Sequence, residues 1–100
     1  MREDRQRLDK WLWFARFAKT RTLAAKLVTD GFVRVNGQRV ETAAKAVAVG
    51  DVLTIAVART TALVRVEALG ERRGPAPQAR LLYSEVARDD GALVTAPDRS

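Results

Sequence analysis

The sequence predicts an α+β fold, in which two N-terminal helices pack on a small, mostly antiparallel sheet and a short helix follows near the C-terminus. Two apolar patterns with helical spacing come first, an Asn-Gly turn follows them, and strand-like alternation comes next. A chain of 100 residues suffices for one domain with a modest core. We expect an N-terminal arm at residues 1–6, a single domain at residues 7–88 and a frayed tail at residues 89–100.

The two N-terminal helices are predicted from apolar stripes. The first stripe recurs at helical spacing through Leu8, Trp11, Leu12, Ala15 and Ala18. It predicts a helix over residues 8–18. A second stripe predicts a helix over residues 21–29, with the Thr20 hydroxyl as its N-cap and Gly31 as the left-handed residue after its end. Because the turn between them is short, the helices must fold back or cross sharply.

A β-hairpin is predicted around Asn36-Gly37, which lies between residues 32–35 and 38–41. This dipeptide is the strongest short signal for a two-residue turn with positive φ at both positions. In that register Arg34 stands directly opposite Arg39, an arrangement that destabilises the strands unless an anion lies between the two guanidinium groups. The alternative is that both side chains splay into water. The neighbouring basic residues favour a phosphate site.

The rest of the chain is predicted from alternation and turn residues. In order, the segments are a turn at residues 48–51, a strand at 52–57, a turn at 59–61, a strand with Val64, Val66 and Ala68 on one face, and a loop at 70–77. Helical spacing then returns at Ala79, Leu82, Tyr83 and Val86. That spacing predicts the short C-terminal helix.

Positive charge is concentrated in residues 5–39. This window holds nine basic residues, namely Arg5, Arg7, Lys10, Arg16, Lys19, Arg21, Lys26, Arg34 and Arg39. Against them stand only Asp9 and Asp30, which leaves a surplus of +7, whereas the whole chain carries +6. Charge clustered in this way is typical of a surface that neutralises phosphates.

The composition argues against catalysis and against metal binding. The chain has no histidine and no cysteine, its only serines are Ser84 and Ser100, and its twelve carboxylates form no obvious pair. A phosphate-binding glycine-rich loop with its lysine is also absent from the sequence. We therefore expect no enzyme activity and no cofactor. Because no signal peptide or long apolar run is present, we expect a cytoplasmic protein.

The start of the second predicted helix favours an anion. Free backbone N–H groups and the helix dipole attract negative charge there, and Lys19 and Arg21 flank the capping residue Thr20. Cations at this end of a helix oppose the dipole, so they call for a reason other than helix stability. For Thr20 we expect capping first and phosphate contact second.

The aromatic residues of the first helix allow two interpretations. Trp13 and Phe17 share the face that carries Lys10 and Arg16, opposite the apolar stripe. Exposed rings among cations suit stacking with unpaired RNA bases. Alternatively, the predicted C-terminal helix covers both rings as a second layer of core, which is the commoner fate of aromatics at helical spacing. Lys10 and Arg16 are candidate RNA contacts in either case.

Four segments of the sequence carry a family resemblance. They are Arg7-Leu8-Asp9-Lys10, Thr20-Arg21-Thr22, Gly31-Phe32-Val33-Arg34-Val35-Asn36-Gly37 and Val49-Gly50-Asp51-Val52-Leu53. Together they resemble the S4 RNA-binding domain. Within that family, the run from Arg7 to Trp13 and the segments Arg72-Arg73-Gly74-Pro75 and Leu81-Leu82-Tyr83 are similar to the heat shock protein 15 group.

The resemblance implies an alpha-L motif, whose two helices and following hairpin form one basic surface for structured RNA. By position it implies an RNA face of Arg7, Lys10, Arg16, Thr20, Arg21, Lys26, Asn36 and Arg39. Members of the group bind free large ribosomal subunits that have stalled with a nascent chain, which implies ribosomal RNA as partner and a role in ribosome rescue during heat shock. Transfer RNA on such a subunit is a second candidate partner. Longer members carry a basic tail, whereas residues 89–100 hold three aspartates and one arginine.

The sequence thus predicts a monomeric, non-catalytic RNA-binding protein that recognises backbone shape rather than base sequence. Lys19 and Arg34, chosen for their charge and position, complete the predicted RNA-binding residues. Duplex DNA is a competing candidate partner, because two short helices with a tight turn also describe a helix-turn-helix. Two further hypotheses are an adaptor for an acidic protein and a module derived from a larger RNA-modifying enzyme.

Overall fold

A computed structural model describes residues 5–57, 60–71 and 74–89. Its helices are α1 (Leu8–Phe14), α2 (Arg21–Thr29) and the single turn α3 (Ala76–Ala79), which continues as a 3₁₀ turn over Arg80–Leu82. Its strands are β1 (Arg5–Arg7), β2 (Val33–Val35), β3 (Gln38–Arg39), β4 (Ala46–Ala48), β5 (Val52–Val57), β6 (Thr60–Val66) and β7 (Tyr83–Asp89). Outside the described residues lie residues 1–4 of the predicted arm at 1–6, Arg59 of the predicted turn, Arg72 and Arg73 of the predicted loop, and residues 90–100 of the predicted tail at 89–100.

The strands form two antiparallel sheets. Strand β1 pairs with β4, and the other five strands pair in the order β3-β2-β5-β6-β7. The two N-terminal helices and the larger sheet share one core, which confirms the α+β fold. None of the helices in the described ranges is long and apolar enough to cross a membrane.

The core joins the apolar stripes of both helices to the inner face of the sheet. Its fully buried larger side chains are Leu8, Trp11, Leu12, Val28, Val33, Val47, Leu53, Ile55, Val64 and Val66. Trp11 is fully buried in this cluster, and its indole N–H donates to the carbonyl of Ala68 at 2.9 Å. A buried indole needs such a partner. The carbonyl belongs to a residue that was predicted to lie within a strand, whereas β6 ends before it, at Val66.

Helix α1 is shorter than predicted, because it ends at Phe14 rather than at residue 18. The chain leaves the helix through a Schellman turn, in which Arg16 N donates to Trp13 O at 3.1 Å and Phe17 N donates to Leu12 O at 2.9 Å. Arg16 takes the left-handed position of this turn, with a φ of 68°. No glycine marks this end, so apolar spacing alone extends the predicted helix too far.

Helix α2 has the predicted bounds and the predicted caps. Thr20 Oγ1 accepts a hydrogen bond from Leu23 N at 3.1 Å, which confirms the N-cap. At the other end Gly31 N donates to Val28 O and Phe32 N donates to Leu27 O, both at 3.0 Å. These bonds form a second Schellman turn with Gly31 in the left-handed position, at a φ of 85°.

The hairpin is confirmed, although its strands are shorter than predicted. Asn36 and Gly37 have φ angles of 52° and 85°, as a two-residue turn of this class requires. The register pairs Arg34 with Arg39, as predicted. Beyond that pair only one ladder bond continues, from Val40 N to Val33 O at 3.2 Å.

The short C-terminal helix predicted through Ala79, Leu82, Tyr83 and Val86 is present but lies earlier, because the helical turns end at Leu82 and the continuation through Tyr83 and Val86 is wrong. The only α-helical turn here among the described residues is α3, and Tyr83 instead begins strand β7, which pairs along β6. Pairing with β7 satisfies the backbone of β6 along that edge, a long-range gain that local spacing does not reveal. The register shifts between Leu63 and Val64, because Val86 is the extra residue of a bulge.

Candidate nucleic-acid interface

The starts of the two N-terminal helices meet around the carboxylate of Asp9. This side chain is only 5% exposed, although it lies among basic residues. Arg7 binds it with both prongs of the guanidinium, Nε donating to Oδ1 at 3.1 Å and Nη2 donating to Oδ2 at 3.0 Å. Arg21 Nη2 lies 3.9 Å from Oδ1, close enough for an ion pair but too far for a hydrogen bond. Two arginines, the N-cap residue of α1 and the first residue of α2, therefore face the same carboxylate.

Both arginines remain accessible while they face Asp9. Arg7 is 52% exposed and Arg21 is 45% exposed. The hydrogen bond to Asp9 and, secondly, the negative charge of Asp9 raise the pKa of Arg7 further above its usual value. The pair thus presents two permanent charges. Arg21 keeps its fork of donors for phosphate oxygens, whereas the Nε and Nη2 groups of Arg7 are engaged by Asp9.

The start of α2 adds two further predicted residues to this region. Thr20 uses its hydroxyl as the N-cap, as described above, and lies next to Arg21 in the chain. Lys19 is exposed and has neither an ion pair nor a side-chain hydrogen bond within the described ranges. Its charge is therefore uncompensated close to the helix start.

On the hairpin, Arg34 and Arg39 lie opposite each other, but their side chains have different surroundings. Arg39 Nη2 is 3.1 Å from a carboxylate oxygen of Glu41, and its guanidinium lies against Gly31 at the end of α2. Arg34 is exposed, and the part of the chain that the structure describes offers it no ion pair. Arg39, one of the two arginines of the predicted phosphate site, is thus already paired with Glu41.

Four other predicted residues have contacts within the protein. Lys10 Nζ lies 5.7 Å from the centre of the Phe14 ring, and Lys26 Nζ lies 3.1 Å from Asp30 one turn later. Arg16 Nε donates to Gly74 O at 3.0 Å, which ties the end of α1 to the loop before α3. Asn36 donates from Nδ2 to Asp51 at 3.2 Å and accepts from Val52 N at 2.9 Å. Arg16 and Asn36 therefore also hold loops in place.

The rings of α1 belong to the core rather than to an exposed platform. The Phe17 ring lies 6.1 Å from that of Trp11 and 4.9 Å from that of Tyr83. Trp13 is half-buried, and its ring lies 5.2 Å from that of Phe14. These rings therefore form a second layer of the core. The residue that packs over them is Tyr83, which lies in strand β7 and not in a helix as the sequence predicted.

An apolar groove lies beside α2, next to the basic residues. It has a volume of about 530 Å³ and is lined by Phe17, Ala18, Lys19, Leu23, Lys26, Leu27, Asp30 and Phe32. Leu23 and Phe32 are 46% and 50% exposed there. The groove was not predicted from the sequence, because one wall is a face of α2 that carries Leu23 and Leu27 and the other walls come from the segments that follow α1 and α2.

The roles of Asp9 and Glu41, which hold Arg7 and Arg39, were not predicted from the sequence. A carboxylate inside a basic cluster is the signal that points to such a role. Asp9 stands out in the sequence on that basis, as one of two acidic residues in the basic window.

Comparisons with known proteins agree with this geometry. The S4 domain model matches residues 6–53. A solved structure described as trimeric Heat Shock Protein 15 of Vibrio cholerae superposes with a TM-score of 0.78 at 42% identity, and the match covers 83% of each chain.

Two curated relatives carry the same name. Heat shock protein 15 of Escherichia coli strain K12 is 47% identical over 81 residues, which is 81% of this chain and 60% of that protein. The Haemophilus influenzae homolog is 42% identical over 85 residues, or 85% of this chain and 64% of that one. The chain therefore spans about three-fifths of the length of these relatives. By its identity to the Vibrio cholerae protein and its coverage of that structure, the chain belongs to the heat shock protein 15 family of S4-domain proteins, and the S4 domain indicates an RNA partner.

Proposed function

We propose that this protein is a non-catalytic RNA-binding protein that binds ribosomal RNA on free large ribosomal subunits stalled with a nascent chain. The proposed contact surface, called the basic face below, consists of Arg7, Lys10, Arg16, Lys19, Thr20, Arg21, Lys26, Arg34, Asn36 and Arg39. In this proposal the protein assists rescue or recycling of those subunits during heat shock, and transfer RNA on the subunit is a second contact.

The observation that carries the proposal is the convergence of Arg7 and Arg21 on Asp9. Two half-exposed guanidinium groups at the start of two helices suit the phosphate oxygens of an RNA backbone. The start of α2 adds the positive end of a helix dipole to the same region. Because these groups recognise phosphates rather than bases, we expect weak sequence discrimination and dependence on the shape of the RNA.

The non-catalytic part of the proposal rests on residue types. The sequence offers neither the imidazole nor the thiol that general-base and nucleophilic catalysis most often use. The sequence instead provides a set of basic residues, whose expected role is to bind a negatively charged partner.

Salt dependence gives the first quantitative expectation. If about four to six phosphates are neutralised, the logarithm of the RNA association constant falls with the logarithm of salt concentration with a slope of about −3 to −5. Competition between a structured RNA and duplex DNA of equal length then tests the helix-turn-helix hypothesis. Preference for the DNA would contradict the proposal.

The decisive experiment is sedimentation of the tagged protein with cell lysate through a gradient that resolves free subunits and whole ribosomes. We expect enrichment on free large subunits at low salt and partial release at moderate salt. Absence from every ribosomal fraction, together with retention on duplex DNA, would contradict the assignment to ribosomal RNA.

We further propose that the protein acts as a cytoplasmic monomer. The Vibrio cholerae relative, whose structure is described as trimeric, supplies the competing assembly. Sedimentation equilibrium with and without RNA distinguishes the two, because a trimer has three times the monomer mass of 11.0 kDa.

The apolar groove beside α2 supports a second candidate function, namely an adaptor for an acidic protein partner. Its apolar walls accept a side chain, while Lys19 on its lining attracts negative charge; Lys26 on the same lining is paired with Asp30. Partner capture that survives ribonuclease treatment would favour this function over RNA binding.

A further inference from the structure

We propose that Asp9 is a positioning residue of the basic face, which holds Arg7 and Arg21 at the spacing needed to bind one RNA backbone. This inference rests on the proposed RNA-binding function and assigns its geometry to an acidic residue. Asp9 itself makes no contact with the RNA in this proposal, since its carboxylate is almost completely buried.

Charge alone argues against an acidic residue at this place. A carboxylate within a phosphate-binding surface repels the ligand, and its burial carries a desolvation cost that only close partners offset. Asp9 nevertheless lies under two cations that were predicted to touch RNA. Because Asp9 lowers the positive potential of the basic face, we look for a structural contribution from its carboxylate.

Helix capping does not explain Asp9. The first N–H groups of α1 are bound by the chain before β4, with Leu8 N donating to Lys45 O at 2.8 Å and Asp9 N donating to Ala43 O at 3.1 Å. The N-cap residue Arg7 makes no side-chain capping bond. The Asp9 carboxylate contributes to the helix through the dipole but is otherwise directed to the two arginines.

The two arginines are held to different degrees. Arg7 is fixed by two hydrogen bonds through Nε and Nη2, which leaves its Nη1 group for an external acceptor. Arg21, at 3.9 Å, is attracted to the same carboxylate without a hydrogen bond, so its donors stay available. Fixing long side chains before binding reduces the conformational entropy lost when the RNA arrives.

The test depends on the sign of the effect of Asp9→Asn. If Asp9 only weakens the positive field, removing its charge tightens RNA binding. If Asp9 positions the arginines, the variant binds an RNA hairpin about fivefold more weakly, and the magnitude of its salt slope falls by about one despite the higher net charge. Glu71→Gln is the matched control, because it adds the same charge outside the basic face and should not weaken binding.

A second variant and a second measurement separate positioning from folding. Asp9→Glu keeps the net charge but moves the carboxylate, so positioning predicts a loss of affinity with an unchanged far-ultraviolet spectrum. In the unmodified protein, the Nε–H signal of Arg7 in a nuclear magnetic resonance spectrum should exchange slowly with water, as its bond to Asp9 requires.

The possible results are distinguishable. Equal or tighter binding by Asp9→Asn, or fast exchange of the Arg7 Nε–H signal, would overturn the positioning role and leave RNA binding intact. No binding of the RNA hairpin or of large-subunit RNA by the unmodified protein would overturn the proposed function, and the positioning role with it.

Discussion

Gly31 and Arg39 share one small volume at the end of α2. The guanidinium of Arg39 occupies the space that a Cβ at position 31 would need, and Gly31 also has a φ of 85°. Because Gly31 has no side chain, it adopts the left-handed turn without strain and leaves room for the guanidinium of Arg39, a residue of the basic face. The position of the Arg39 side chain on the hairpin therefore depends on the Schellman turn at the end of α2.

Gly31→Ala is expected to affect both stability and RNA binding. The positive φ costs about 1 to 2 kcal/mol in free energy of unfolding, and the displaced Arg39 changes the RNA contact. Urea denaturation and RNA titration measure the two effects. Gly37→Ala is the control, because its φ is also 85° but nothing lies within 4 Å of the added methyl group. Equal RNA affinity of the two variants would contradict this prediction.

Arg7→Ala and Arg21→Ala are expected to differ in stability while both weaken RNA binding. Asp9 loses its bidentate partner in the first variant and keeps it in the second. A buried carboxylate without its partner is costly, so we expect a clear fall in melting temperature for Arg7→Ala only. Arg21→Ala should lower affinity severalfold and flatten the salt slope by about one. A large fall in melting temperature for Arg21→Ala would instead assign that residue a structural role.

Thr20→Ala is expected to act mainly through the helix cap. Loss of the bond from Leu23 N to Oγ1 should lower the free energy of unfolding by about 1 kcal/mol. Thr20→Ser keeps the acceptor and should keep most of that stability. RNA affinity of the folded fraction should change little in either variant. A fall in affinity without a change in stability would reverse the order of the two roles.

Arg16→Gly is expected to stabilise the protein or leave its stability unchanged, even though a hydrogen bond is lost. Glycine favours the left-handed position at a φ of 68°, a gain of about 1 kcal/mol, against the loss of one exposed bond to Gly74. RNA affinity should fall if Arg16 contacts RNA. Thermal melting and RNA titration measure both quantities. Lower stability together with unchanged affinity would make Arg16 a purely structural residue.

Local signals predicted the parts of the fold that local interactions determine. The cap at Thr20, the left-handed Gly31 and the Asn36-Gly37 turn are all fixed by bonds between near neighbours in the chain. The end of α1 was missed because an arginine takes the position at which a glycine is the usual signal. Strand β7 was missed because only its pairing with β6 distinguishes it from a helix of similar spacing.

The basic face was predicted as a set of charges but not as an arrangement. Sequence shows that Arg7, Arg21 and Arg39 are positive and that Asp9 is an acid among basic residues, whereas which arginine faces Asp9 or Glu41 is seen only when side chains are placed. The antiparallel register of Arg34 and Arg39 was predictable because a two-residue turn fixes it. The pairing of Glu41 with Arg39 rather than with Arg34 was not predictable, because the Arg39 guanidinium is held against Gly31 at the end of α2.

The two Schellman turns also determine the shape of the apolar groove. Each turn places a phenylalanine two residues beyond the C-cap, Phe17 after α1 and Phe32 after α2, and both line the groove. The backbone position of each phenylalanine is thus held by main-chain bonds at its own helix end, independently of the other side chains that line the groove. Exchange of Leu23 or Leu27 can therefore change which side chain the groove prefers without altering the two helix ends that carry its phenylalanines.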